Sequence, residues 1–138
     1  MHFTRPEPVC DADTLPFWNA ARAHRLDIQR CLSCGRSVFY PRAICPHCHG
    51  GQLEWITSGG TGTIYSYTVA RRPAGQAFAE LVPYVIVLVD LDDGVRMLSN
   101  LITPNTESVH IGDRVRVVFV DLSSEISLPM FEVTSSVH

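Results

Sequence analysis

The segment CLSCGRSVFYPRAICPHCHG carries four cysteines, Cys31, Cys34, Cys45 and Cys48, as two CxxC pairs with ten residues between them. Each pair turns two thiolates toward one point, and a chain reversal between the pairs brings all four together. That is the ligand set of a tetrahedral metal centre, with zinc as its default occupant. With all four positions filled by protein, no site stays open for water or substrate, so the zinc is expected to be structural. Disulfides would suit a secreted chain, but the N-terminal stretch MHFTRPEPVCDADT is polar and proline-bearing, unlike a secretory leader. A redox dithiol needs only one CxxC. A rubredoxin-like iron centre also uses two CxxC pairs, but much farther apart. Cys10 lies outside the spacing and reads as a spare thiol in a loose N-terminal segment.

The knuckles have a physical logic of their own. The residue after the second cysteine of a pair often needs a left-handed backbone so that its amide can face a sulfur, and Gly35 meets that need without strain. His49 holds the same place in the second knuckle; histidine tolerates positive φ better than most side chains. His47 and His49 could each replace a cysteine as ligand, but four thiolates already complete the set.

Residues 13 to 29 begin with a helix. Asp13 or Thr14 can cap it, Pro16 suits its first turn, and FWNAARAHRL follows. Phe17, Trp18, Ala21 and Arg25 fall at helical spacings, so the pair Phe17–Trp18 either packs on the body of the protein or lines a ligand or partner surface. LDIQRC alternates like a strand entering the first knuckle, VFYPR leaves it, and LEWIT is a further short strand. The glycine-rich bend SGGTG at residues 58 to 62 is the expected boundary between residues 1–58, a helix and zinc ribbon, and residues 59–138. Beyond it the period becomes two and β-branched residues dominate. TGTIYSYTVARR, PYVIVLVDLD, VRMLSNLIT, IGDRVRVVFVDL and SLPMFEVT read as five strands, with Asp93–Gly94 as a hairpin turn. The fold class is mainly β: an N-terminal helix and a rubredoxin-like zinc ribbon, then a five-stranded OB-fold barrel.

Composition narrows the function classes. All eleven basic residues are arginine, and the formal net charge is -3. Residues 59 to 138 hold five arginines against nine acids. A single-stranded nucleic-acid-binding ribbon/OB module is the rival reading, but such proteins carry a basic face. No run approaches the ~18 apolar residues of a membrane span, and a cytoplasmic location is expected. No catalytic constellation stands out. The acid–base histidines are few: His24, His110, His2 and His138. Asp92 and Asp93 read as turn residues, and Tyr65 and Tyr67 are expected on one face of the first barrel strand, where they either pack on the barrel or stack on a ligand.

The order PFW, helix, RCxxCG, YPRxxCPxC, a glycine-rich bend, GTIYSYTVARRP, VPYVIVLVDLDDGVRMLSNL and HIGDRVRVVF resembles the acyl-CoA-associated zinc-ribbon/OB-fold family, long catalogued as a domain of unknown function. The resemblance runs from about Leu15 to Phe131. It implies a small companion of a thiolase-fold enzyme: an aldolase that shortens steroid side chains, an acyltransferase or a synthase, with hydratases among the associated activities. The partner would carry the catalytic residues, and this chain, not catalytic alone, would stabilise the complex and help hold the CoA thioester. Cys31, Cys34, Cys45 and Cys48 match the family's zinc ligands, and Phe17 and Trp18 its aromatic pair. His24 stands where many members have glycine, and His49 replaces the usual knuckle glycine. Arg22, Arg25 and Arg72 are candidates for CoA phosphates on chemical grounds, and the LPMF segment is a second candidate docking element.

Overall fold

Helix α1 (Leu15–Arg22) has Pro16 in its first turn, as expected, but its cap differs from expectation. Thr14 occupies the N-cap position without a side-chain bond to the helix; it pairs backwards with Asp11. The Thr14 amide donates to Asp11 Oδ1 at 2.9 Å, and the Asp11 amide donates to Thr14 Oγ1 at 3.1 Å. The helix also stops earlier than FWNAARAHRL suggests. His24 adopts φ 60, and the chain leaves as strand β1 (Asp27–Cys31). Burial explains the early stop: Leu26 and Ile28 are 2% and 0% exposed, and delivering both to the core takes an extended chain. The computed structural model describes residues 6–73 and 75–136; the candidates His2 and His138 lie outside the described residues.

β1 is the centre of a three-stranded antiparallel sheet, flanked by β2 (Ser37–Val38) and β3 (Leu53–Thr57). β2 is only two residues long, because the chain after Val38 turns away to line the barrel. Five further strands follow: β4 (Thr61–Ala70), β5 (Tyr84–Leu91), β6 (Arg96–Leu101), β7 (Arg114–Asp121) and β8 (Ser127–Ser135). They close a barrel in the order β4-β5-β6-β8-β7, with β7 returning to β4. The expected five-stranded OB-type barrel is therefore present. β5 shows the alternation best: Val85, Val87, Val89 and Leu91 point inward.

β4 contains a register shift between Ile64 and Ser66, a bulge at Tyr65. One extra residue reverses the alternation, so Tyr65 and Tyr67 do not share a face, contrary to the sequence expectation. Tyr67 packs against the barrel core. Tyr65 lies outside, half exposed, with the Arg96 guanidinium 3.4 Å from its ring centroid.

Gly62 pairs with Leu91 of β5 and with Val115 of β7, at the point where β4 passes between them. A Cβ there would meet the Asp90 carbonyl oxygen at 2.5 Å. The hairpin residues Asp92 and Asp93 do more than shape a turn. Asp92 takes two bonds from Arg114, at 2.8 and 2.7 Å, and one from Thr61 at 2.7 Å. Asp93 joins ribbon to barrel: its carbonyl accepts from Ser37 Oγ at 2.8 Å, and its carboxylate accepts from Ser58 Oγ. One buried cluster runs from Phe17, Leu26 and Ile28 into Ile64, Val87 and Phe131 of the barrel.

Candidate functional site

The four-cysteine cluster is assembled by two tight turns. β1 ends in Cys31, and Gly35 takes φ 77 as expected for the first knuckle. His49 takes φ 65 in the second, the left-handed conformation that the absence of glycine had left open. The four cysteine sulfurs all lie within 4.8 Å of one another. Cys31 and Cys48 are 3.5 Å apart, Cys34 and Cys45 3.7 Å. A zinc ion with Zn–S bonds of about 2.3 Å spaces tetrahedral sulfurs by about 3.8 Å, so the donor set fits that ion. The Cys34 amide faces Cys31 Sγ at 3.5 Å and the His47 amide faces Cys45 Sγ at 3.4 Å, orienting the thiolates from behind.

Electrostatics agree with a cation at the centre. The Cys34 amide draws the Cys31 thiol down to about 6. At Cys48 the Gly50 amide also lowers the pKa, but the Cys31 sulfur and burial outweigh it and push the thiol up to about 11. Sulfurs this close cannot all ionise without positive charge between them. His47 is turned outward, its Nδ1 3.3 Å from the Arg36 guanidinium, and does not join the ligand cluster. Cys10 is half-buried and outside that cluster.

Beside the ribbon, α1 and the barrel enclose an apolar groove of about 310 Å³. One wall is Phe17 and Trp18 with the segment Phe39, Tyr40 and Pro41; the other is Met97 to Asn100 of β6 and Leu128 to Met130 of β8. An aromatic chain braces the first wall. The Phe17 ring meets Trp18 edge-on at 5.0 Å and Phe39 at 5.6 Å, and Phe39 meets Tyr40 at 4.5 Å. The lining carries no ionised side chain and no histidine, so it offers shape and apolar surface rather than acid–base chemistry.

The aromatic pair divides between core and groove. Phe17 is 6% exposed and belongs to the core; Trp18 is half-buried and lines the groove. The LPMF segment also divides: Phe131 is fully buried in the barrel, whereas Leu128, Pro129 and Met130 line the groove. Arg22 sits 3.3 Å from Glu125, and Arg25 sits 3.6 Å from Asp27. Arg72 is exposed in the segment after β4. Phe39, Tyr40 and Leu98 were missed, because nothing in their local pattern marks them as facing one cleft. Pro129 carried a usable signal, since a proline inside a strand indicates an edge.

Two family models match the chain: ChsH2, rubredoxin-like zinc ribbon domain, over residues 18–54, and ChsH2, C-terminal OB-fold domain, over residues 55–120. A probable enoyl-CoA hydratase alpha subunit of Thermomonospora curvata is 38% identical over 129 residues, 92% of this chain; the match spans 39% of that protein's length. A DUF35 domain-containing scaffold protein of Methanothermobacter thermautotrophicus is 35% identical over 115 residues, 82% of this chain and 86% of that protein. Among solved structures, a chain of the Ltp2-ChsH2(DUF35) aldolase superposes with a TM-score of 0.82 at 35% identity, covering 92% of this chain and 98% of that one.

Proposed function

The chain belongs to the ChsH2 (DUF35) family of zinc-ribbon and OB-fold proteins, and we propose that it is the non-catalytic accessory subunit of a thiolase-fold enzyme acting on acyl-CoA thioesters. A side-chain-shortening aldolase or an acyltransferase is the partner class that fits best. The observation that carries the reading is the groove: a braced, uncharged cleft between ribbon and barrel, without acid–base groups of its own. The likeness to a chain of the Ltp2-ChsH2(DUF35) aldolase, and to a DUF35 domain-containing scaffold protein, supports it.

In this role the zinc pins the ribbon so that Phe39 and Tyr40 stay against α1 and the barrel, and the groove keeps its shape before the partner arrives. An acyl-CoA held at the shared surface would meet Trp18 at the groove. Arg22, one helical turn further along α1, would exchange Glu125 for a CoA phosphate. Against the nucleic-acid reading, Arg22, Arg25, Arg30, Arg96, Arg114 and Arg116 each lie within 3.6 Å of a carboxylate, which offsets the charge of six of the ten arginines among the described residues.

The test is co-expression with the thiolase-fold proteins of the same genome, followed by native mass spectrometry and thioester assays. A stable hetero-oligomer, active only with both chains present, is the expected result. A chain that purifies alone and binds single-stranded nucleic acid with strong salt dependence would overturn the proposal.

A further inference from the structure

The barrel is closed unevenly. β6 and β8 run parallel and pair only at Leu101 and Phe131, where the Ile102 amide donates to the Phe131 carbonyl at 2.8 Å. Towards the start of both strands side chains stand in for the ladder. Ser99 Oγ donates to the Pro129 carbonyl at 2.7 Å, and the Leu98 amide donates to the Tyr40 hydroxyl at 3.3 Å. Amides two and four residues apart on a strand face the same edge, so Leu98 and Ile102 address the same side. Ile102 finds β8 there; Leu98 finds only a phenol oxygen at the long end of the hydrogen-bond range. On the opposite bank Pro129 has no amide to offer.

At Leu98 the groove therefore presents a strand-edge amide held only by a side-chain hydroxyl, between apolar banks. Its lining is uncharged, and Leu98 is 53% exposed beside it. A lone fatty chain would leave that amide on its long bond to the Tyr40 hydroxyl, having no acceptor of its own to offer. The group that complements both features is another main chain in extended form, with uncharged, apolar side chains.

We propose that the groove receives an extended apolar peptide segment of the partner enzyme, laid along β6 as an added strand, its main chain replacing the Tyr40 hydroxyl at the Leu98 amide. This rests on the accessory-subunit reading. Leu98 and Trp18 then flank the inserted strand, and the uneven β6–β8 seam is completed by the partner. Tyr40 acts as a placeholder that keeps the edge from pairing with other chains in the free protein.

The full chain and its co-purifying thiolase-fold partner provide the test. Amide hydrogen exchange at Leu98 is expected to slow at least tenfold on complex formation. Leu98→Pro, which removes the edge N–H, is expected to weaken binding at least tenfold, while Leu98→Ala stays within about threefold. Zinc content and thermal melting establish that Leu98→Pro is folded; if it is not, the exchange measurement on the wild-type chain decides alone. A complex that forms with Leu98 exchange unchanged overturns this inference and leaves the accessory reading standing. Absence of any complex overturns both. Leu98 protection in the isolated chain, together with a dimer mass, places a second copy in the groove and also overturns it.

Discussion

Gln29 pairs with Arg42 as one strand pairs with another: its Nε2 donates to the Arg42 carbonyl at 3.0 Å, and its Oε1 accepts from the Arg42 amide at 2.8 Å. A buried side-chain amide thus extends the β1 ladder by one rung to a segment outside the sheet. That segment carries Phe39, Tyr40 and Pro41 on one side of Arg42 and Cys45 on the other. One hydrogen-bonded pair positions both the groove wall and the second knuckle.

Gln29→Ala should lower stability by about 1–2 kcal/mol, since the exposed Arg42 backbone regains water but the two matched bonds are lost. Zinc should stay bound while Trp18 emission, read in a Trp55→Phe background because Trp55 lies opposite Gln29, shifts to the red. Unchanged melting and emission would show that the pair does not hold the wall.

Elemental analysis should find about one zinc per chain. Stripping it with a chelator, or replacing Cys45 with serine, should unfold the ribbon and abolish partner binding, because so small a sheet has too little core of its own. Iron in the purified protein, or a metal-free Cys45→Ser chain that melts like wild type, would contradict a structural zinc.

Gly62→Ala places a methyl group against the Asp90 carbonyl, a rigid neighbour. The expected cost is about 1–3 kcal/mol, with the loss in barrel strands β4, β5 and β7 rather than in the ribbon. Hydrogen exchange resolved by strand distinguishes the two.

His24 holds φ 60, stacks on Phe119 at 5.3 Å and places Nε2 2.9 Å from Asp121 Oδ1. His24→Gly should be close to neutral, because relief of the left-handed backbone offsets exposed contacts of similar size. His24→Val should cost about 2 kcal/mol, as a β-branched residue resists that conformation. Equal melting temperatures for the two variants would argue that the turn is not constrained.

Bonds from Arg114, and then from Thr61, hold the Asp92 carboxyl well below the usual carboxylate range. The folded chain therefore takes up that proton less readily than the unfolded chain. The contribution is complete above about pH 4 and is lost as the pH falls further. Ser127 and His24 act on Asp121 in the same direction. Melting temperatures of wild type and Asp92→Asn should differ at pH 7 and converge towards pH 2–3; a difference constant across that range would remove Asp92 from the account.

The sequence alone determined the four-cysteine cluster, the presence of the helix, the order of the strands and the barrel, because each rests on a local signal. Cysteine spacing brings thiolates together within two turns, and period-two alternation in PYVIVLVDLD commits a strand to one buried face. Only the tertiary structure decided the rest. The bulge at Tyr65 that separates Tyr65 from Tyr67 depends on how β4 pairs with β5. Asp92 and Asp93 look like turn residues until Arg114, Ser37 and Ser58 arrive from distant segments. The groove draws on four segments, and no single one of them shows a cleft by itself. A local pattern records which side of an element is apolar; which surfaces meet, and where they fail to meet, depends on contacts between residues far apart in the chain.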